Sequence, residues 1–164
     1  MDTFSIFDWK KNEILTVGVI LMMILGISTV QLSIGKMKAR DSQRKSDVEL
    51  VARALERYYL DYGEYPIATD GGRLMACGER GQYVCNWGSS NDSIVDYDNV
   101  EYLKGLSSDP FTFKGWKYIY ETDKSRQKFK IYVALEYKRD NGIRQDLTVE
   151  CGNGIQCNWY VQNE

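Results

Sequence analysis

The chain has 164 residues, of which 43% are hydrophobic, and a formal net charge of -2. That length predicts one ordinary folded domain, and the near balance of 21 basic and 23 acidic side chains gives no general attraction to nucleic acid. The sequence contains no histidine, which excludes Ser-His-Asp and Cys-His nucleophilic sites and His-ligated zinc hydrolases. An enzyme would need carboxylates, lysine or tyrosine, and no spacing of these residues points to a catalytic site.

An uncharged apolar run lies near the start of the chain. It covers residues 14–34, and these 21 residues match the ~20 that a helix needs to cross a bilayer. The run is apolar on every face and only 130 residues follow it, so burial as a core helix is disfavoured. It is also longer than the apolar region of a usual cleaved secretory signal, and no Ala-x-Ala cleavage site follows it. We therefore predict a short N-terminal segment at 1–13 and a retained transmembrane helix at 14–34.

Basic residues bear on the side of the membrane that the remaining chain occupies. More of them follow the apolar run than precede it, which favours a cytoplasmic C-terminal region. They are Lys10 and Lys11 before the run, and Lys36, Lys38, Arg40, Arg44 and Lys45 after it.

The four cysteines favour the opposite side. Cys77 and Cys85 form one close pair in the sequence, and Cys151 and Cys157 form another. This spacing suits two local disulfides and hence an oxidising compartment. A four-thiolate zinc site is the rival, although neither pair has Cys-x-x-Cys spacing. We favour two disulfides and an extracytoplasmic C-terminal region.

The helical pattern continues beyond the apolar run, at 35–62. Apolar residues recur there at three- and four-residue spacing, namely Val48, Val51, Leu55, Tyr58 or Tyr59, and Tyr62. Charged residues are assigned to the opposite, solvent-facing side. Among these are Arg40, Asp41, Arg44, Lys45 and Asp47. Gly63 as a C-cap, with Pro66 beyond it, predicts that the amphipathic helix ends near Tyr62.

The remaining chain, 63–164, is predicted to contain loops and a sheet. Residues 67–108 are rich in Gly, Asn, Asp and Ser, which favours loops around one short apolar stretch at 100–106. Three segments rich in Tyr, Val and Ile are predicted strands, at 116–121, 129–137 and 147–151. Residues 140–142 (DNG) are predicted to form the hairpin turn between the last two. A three- or four-stranded antiparallel sheet covering the amphipathic helix gives an α+β fold.

These residues resemble a known family. Residues 38–47 (KARDSQRKSD), the helix that follows and Tyr65-Pro66 are similar to type IV pilins and type II secretion pseudopilins. Asp109-Pro110 and the segment 129–137 (FKIYVALEY) resemble the sheet region of the same family, especially major pseudopilin-like proteins. The resemblance covers nearly the whole chain and implies a pilin-like fold, with a long N-terminal helix packed on a small external sheet.

The N-terminal motif departs from the family pattern. The family's peptidase site is a glycine followed by Phe-Thr-Leu-Ile-Glu, whereas no glycine precedes Gly18 here. Alignment of Glu13 with the family's glutamate places Asp8 at the cleavage position and Trp9 at the first mature aromatic. The family implies that Glu13 neutralises the N-terminal amine of a neighbouring subunit. Without cleavage, Glu13 would instead be a flanking residue at the membrane interface, and both interpretations stay open.

The resemblance implies a non-enzymatic structural subunit of a type IV pilus or a type II secretion pseudopilus-like filament. The expected partners are like subunits or other pilins, the inner-membrane assembly machinery and the lipid bilayer. The helix would anchor the subunit in the membrane and later pack in a filament, aided by small or polar residues. These candidate positions are Thr16, Gly18, Gly26, Ser28, Thr29, Gln31 and Ser33.

Two other function classes stay open. A single-pass, membrane-tethered binding module or assembly factor would share the anchor and the disulfides but would not polymerise. An external enzyme using carboxylates such as Asp109, Glu136 and Glu150 is the third alternative.

Two ligand hypotheses also follow from the residues. Asp140, Asn141 and Asp146 could offer oxygen ligands to calcium, but their spacing matches no dedicated calcium loop and an ordinary polar hairpin is preferred. The basic stretch 36–45 could contact DNA phosphates, but beside a membrane helix lipid headgroups or filament neighbours are preferred. We expect neither a cofactor nor a nucleic-acid partner.

Overall fold

The computed structural model describes the backbone of residues 11–163 and the side chains of residues 13–163. It contains one long helix, α1 (Lys11–Tyr62), followed by eight short strands. The strands are β1 (Ile67–Ala68), β2 (Leu74–Cys77), β3 (Tyr83–Val84), β4 (Ser93–Val95), β5 (Glu101–Lys104), β6 (Ile119–Thr122), β7 (Phe129–Val133) and β8 (Trp159–Gln162). The predicted α+β class is confirmed.

The chain divides into two compact units, with the boundary inside α1. One unit ends at Met37 and the other begins at Lys38. The second unit contains the amphipathic part of α1 and all eight strands, and it is referred to below as the folded domain.

The end of α1 follows the sequence prediction. Gly63 has a φ of 69°, and its N–H donates to the carbonyl of Tyr59 at 2.7 Å. Glycine reaches this left-handed conformation without the steric cost that a Cβ would add. The predicted end of the helix at Tyr62 is confirmed.

The strands form three small antiparallel sheets instead of the single sheet that was predicted. Their orders are β1-β2-β3, β4-β5 and β6-β7-β8. The prediction of loops at 67–108 was incomplete, because five short strands lie there, one of them (β5) in the apolar stretch at 100–106. Each has only two to four residues, which is too short for an alternating pattern to stand out.

The segment 147–151 was also predicted wrongly. It forms no strand, and only an isolated bridge joins Glu150 to Gln156. The chain reverses direction immediately after Cys151. Gly152 and Gly154 have positive φ, and the Cys151–Cys157 disulfide closes the loop. The strand that pairs with β7 is instead β8, so residues 140–142 form a turn within the long connection from β7 to β8 and not a tight hairpin.

Sheet β6-β7-β8 supplies much of the core. Ile119 pairs with Tyr132, and Tyr120 pairs with Ile131. Because successive side chains of a strand point to opposite faces, Tyr120 and Ile131 lie in the main core while Ile119 and Tyr132 lie in a second, smaller cluster. The side-chain amide of Asn158 then joins β8 to the end of β7 by accepting from the N–H of Leu135 at 2.7 Å and donating to its carbonyl at 2.9 Å.

The apolar face predicted for the amphipathic helix is confirmed. Val48 and Leu55 have no exposed surface, and Val51 is almost fully buried. They pack in one cluster with Leu74 of β2 and Ile131 of β7. Burial of each such side chain contributes about 1.5–3 kcal/mol relative to exposure.

Two disulfides close local loops of the folded domain. Cys77 bonds to Cys85 and Cys151 bonds to Cys157, which are the pairs favoured by their spacing. All four cysteines are buried. The Cys77–Cys85 bond lies in the main core, and the Cys151–Cys157 bond lies in the smaller cluster.

Candidate functional site

The apolar part of α1 is the first candidate site. Among the described residues, one helix is long and apolar enough to cross a bilayer, and none of its apolar window is buried within the chain. The exposed fraction reaches 69% at Leu15 and 77% at Met22. Burial of so many apolar side chains needs lipid or other protein chains. This feature fits a single-pass membrane protein.

The candidate packing residues do not all share one face of α1. At about 100° of rotation per residue, Gly18, Gly26 and Ser33 lie within an arc of about 80°, which also contains Thr29. Thr16, Ser28 and Gln31 lie on the remaining surface. We call the first three residues the small-residue face.

The glycines of the small-residue face are not required by packing within the chain. A Cβ added at Gly18 or Gly26 would meet no described atom within 4 Å. The hydroxyl of Thr29 donates to the carbonyl of Gly26 at 2.8 Å, so that polar group is satisfied within the helix. Any steric requirement for glycine here would come from a neighbouring chain.

Glu13 lies in the first turn of α1. A carboxylate is favoured there by the partial positive charge of the helix N-terminus. Asp8 and Trp9, which the alignment placed at the peptidase site, lie outside the described residues.

The second candidate site is a buried group of charges where α1 meets the sheets. We call it the Arg44 cluster, and it consists of Arg40, Asp41, Arg44, Asp109 and Glu136. Arg44 has no exposed surface. Its Nε and Nη2 donate to the two carboxylate oxygens of Asp109 at 2.8 and 3.2 Å, and its Nη1 donates to Asp41 at 2.8 Å and to Glu136 at 2.7 Å.

The carboxylates of the Arg44 cluster are themselves fixed by further contacts. Asp41 accepts the backbone N–H groups of Glu136 at 2.9 Å and Tyr137 at 2.8 Å. Arg40 binds both oxygens of Glu136, at 2.7 and 2.5 Å. Paired donation to a planar carboxylate is strong and directional. The cluster therefore joins α1 to the chain that follows β7 in a single geometry.

Aromatic rings cover the guanidinium groups of this cluster. The Cζ atom of Arg44 lies 4.7 Å from the centre of the Trp116 ring. Arg40 lies 4.7 Å from the centre of the Phe111 ring. A cation placed over a ring is attracted by the ring's quadrupole, and the rings also keep water away from the ion pairs.

The assignment of Asp41 and Arg44 to the solvent-facing side was wrong. Both are buried, on the same face of α1 as Val48. Helical spacing could have shown this, because Arg44 precedes Val48 by four residues and Asp41 precedes it by seven. Their charge suggested solvent, but the partners that permit burial come from distant parts of the chain, at Asp109 and Glu136.

The ion pairs of the Arg44 cluster give a structural role to two of the three carboxylates that were considered for a catalytic site. Asp109 and Glu136 bind Arg44, and both stabilise a buried cation. Glu150 is exposed and lies at the single bridge to Gln156.

Protonation of Glu136 depends on these contacts. Burial alone would raise the pKa of Glu136, but hydrogen bonds from Arg40 and Arg44 outweigh it and hold the pKa below its ordinary value. Burial would likewise lower the pKa of Arg44, but the hydrogen bonds that Arg44 donates to Asp109 and Glu136 raise it instead. Both groups are therefore charged at neutral pH.

A pH dependence of stability follows from Glu136. A carboxyl group whose pKa is lower in the folded state stabilises that state above its unfolded pKa, and the contribution is lost as the pH falls through the folded pKa. We expect the denaturation midpoint to decline as the pH falls below 4.5, the ordinary value for this group. Measurement of the midpoint from pH 7 to pH 3 should give a smaller decline for Glu136→Gln. An equal decline in both proteins would contradict this role.

Asp140, one of the three residues considered for calcium, is held in an ion pair. Both carboxylate oxygens of Asp140 bind the ammonium of Lys45, at 2.9 and 2.8 Å, and this contact lowers the pKa of Asp140. Asn141 and Asp146 are exposed. Over the residues that the structure describes, no group of three or more His, Cys, Asp or Glu side chains is placed to hold a metal ion.

Comparison with known proteins does not identify a family. No model of a protein family matches the chain, and neither the curated proteins nor the solved structures searched gave a match.

Proposed function

We propose that this protein is a single-pass membrane subunit of a filament of the pilus or pseudopilus kind. The observation that carries the proposal is the apolar part of α1. None of its apolar window is buried by the chain itself, and the same helix continues into the core of the folded domain. In the bilayer, lipid covers this surface. In a filament, the corresponding helices of neighbouring subunits cover it.

The small-residue face supports packing between helices. Lipid tails are as apolar as leucine, so helices associate in a membrane chiefly through close packing and hydrogen bonds. The open surface at Gly18 and Gly26 lets a second backbone approach. Met22 lies between them on the same side and adapts readily to an irregular partner surface.

The Arg44 cluster suits the mechanical demands of such a subunit. Movement of a helix out of the bilayer places load on its connection to the external domain. Arg44, Asp41 and Glu136 supply a connection made of several short charged hydrogen bonds in addition to apolar contacts. In this proposal Asp109 and Glu136 support the structure and do not catalyse a reaction.

Helix packing is tested by substitutions on two faces of α1. Gly26→Ile with Ser33→Leu adds bulk to the small-residue face, and Ser28→Leu with Gln31→Leu adds bulk elsewhere. We expect the first pair to reduce filament yield and subunit crosslinks at least tenfold in native membranes, and the second pair to have little effect. Helix crosslinking of the full-length protein and recovery of sheared filaments measure both.

The outcomes separate the candidate functions. Equal yields for both pairs of substitutions would contradict packing through the small-residue face. An unaltered protein that is inserted in the membrane but gives no crosslinks between subunits would contradict polymerisation. It would favour a membrane-tethered binding module or an assembly factor.

A further inference from the structure

Two sets of cations and aromatic rings flank the Arg44 cluster in the folded domain. Lys38 lies over Tyr137, the residue after Glu136, and Lys114 lies beside Phe111 and Phe113, of which Phe111 contacts Arg40. We call these five residues together the interfacial patch: Lys38, Phe111, Phe113, Lys114 and Tyr137. The ammonium of Lys38 lies 4.6 Å from the centre of the Tyr137 ring, and that of Lys114 lies 4.3 Å from the centre of the Phe111 ring. Phe113 packs edge-on against Phe111 and has 78% of its surface exposed.

The exposure of Phe113 is not explained by packing within the domain. The loop that carries Phe113 is fixed by Asp109, which accepts a hydrogen bond from the N–H of Phe111 at 2.7 Å and also binds Arg44. The short helical turn Thr112–Lys114 then presents an apolar ring and an ammonium side by side. Phe113 and Lys114 are thus displayed on a fixed support.

The position of the patch along the chain relates it to the bilayer. Arg40, which contacts Phe111, follows the last residue of the apolar run by six residues. Six helical residues rise about 9 Å. The headgroup region on each side of the hydrocarbon core is about 5–8 Å thick. Arg40 therefore follows the apolar run closely enough along α1 for its long side chain to reach the headgroup region.

The charges of this region favour an anionic surface. Arg40 is paired with Glu136, and Lys45 is paired with Asp140. Within the described residues, Lys38 and Lys114 make no salt bridge and rest on aromatic rings instead. Rings that sit at headgroup level, next to lysines that attract anionic lipid, are typical of proteins at membrane interfaces.

We propose that the interfacial patch binds the headgroups of anionic lipids in the bilayer that holds α1. Phe113 packs among the headgroups, while Lys38 and Lys114 contact lipid phosphates. The inference rests on the membrane anchoring in the proposed function and is independent of filament assembly. Under this proposal the contact holds the folded domain against the membrane.

A nitroxide label on the full-length protein tests this contact. Phe113→Cys places the label in the patch, and Tyr97→Cys is the control. Tyr97 is 46% exposed and packs against Tyr62, the last residue of α1. The labelled proteins are placed in nanodiscs that hold one subunit or, in a second preparation, several subunits. The lipid is zwitterionic phosphatidylcholine with or without anionic phosphatidylglycerol. Power saturation then compares access of the label to oxygen and to a water-soluble nickel chelate.

We expect the oxygen-to-nickel access ratio at position 113 to exceed that at position 97 severalfold in anionic nanodiscs, and to fall when Lys38 and Lys114 are both replaced by glutamine. Each lysine is expected to change lipid affinity about fivefold. Equal ratios at the two positions would overturn the proposal. Protection of position 113 only in nanodiscs with several subunits would also overturn it, in favour of a contact between subunits. Failure to enter nanodiscs would contradict the anchoring itself.

Discussion

Replacement of Arg44 by methionine is expected to destabilise the folded domain by about 3–5 kcal/mol. Methionine is close in length, so most packing volume is kept. However, Asp41, Asp109 and Glu136 would then face one another in a region with little solvent. Removal of one partner from a buried ion pair is costly because the remaining charge loses its compensation.

Chemical denaturation of the full-length protein in detergent micelles measures this loss, with near-ultraviolet circular dichroism reporting on packing of Trp116 and the tyrosines. Arg53→Met is the matched control, because Arg53 is exposed on the same helix. Arg44→Lys should give an intermediate loss, since lysine keeps the charge but not the paired geometry. An Arg44→Met midpoint equal to that of Arg53→Met would contradict the role given to the cluster.

Two arginines in the apolar part of α1 are expected to abolish membrane retention. Leu21 and Leu25 are 54% and 64% exposed and lie near the centre of the apolar run. An arginine at the centre of a membrane helix costs about 2.5–3.5 kcal/mol for insertion, and the loss of each leucine adds a few tenths. Leu21→Arg with Leu25→Arg therefore costs about 6 kcal/mol.

Carbonate extraction of cell membranes measures retention directly. The matched control is Leu50→Arg with Leu60→Arg, which adds the same charges to exposed positions of α1 in the folded domain. The control protein should stay in the membrane pellet, whereas the Leu21 and Leu25 variant should not. A variant retained as well as its control would show that residues 14–34 do not anchor the chain.

The extent of α1 and its buried apolar face could be predicted because both depend on local chemistry. An uncharged run identifies the apolar part, a three- and four-residue period identifies the face with Val48 and Leu55, and Gly63 marks the end. Each signal is contained within a few turns of helix. No distant residue is needed to interpret it.

The sheets were predicted less well because their strands are short and depend on distant partners. β7 was found, although the predicted strand continued to residue 137 and β7 ends at Val133. Beyond Val133 the backbone meets α1, where Asp41 accepts the N–H groups of Glu136 and Tyr137. The backbone of this strand-like sequence therefore leaves the sheet and binds the side chain of Asp41, which lies 95 residues earlier in the chain.

The Arg44 cluster could not be predicted for the same reason, because its residues come from distant parts of the chain. The sequence supplies Arg44 on the buried face of α1, but burial of a charge becomes acceptable only when partners are present. Those partners, Asp109 and Glu136, lie 65 and 92 residues away. The charge of Arg44 predicted that its side chain would be exposed to solvent, whereas the fold buries it.

The position of β8 at the edge of sheet β6-β7-β8 sets an order of events during biosynthesis. Trp159, the first residue of β8, is synthesised 125 residues after Ile34. At roughly 5–20 residues per second, translation of that interval takes about 6–25 s. During this time the apolar helix is already available to the insertion machinery, while the sheet lacks its third strand and the Asn158 contacts to Leu135. If the chain is anchored as proposed, with the folded domain on the extracytoplasmic side, we expect the helix to be inserted first. The sheet would then close only after translocation, in the compartment where Cys151 meets Cys157.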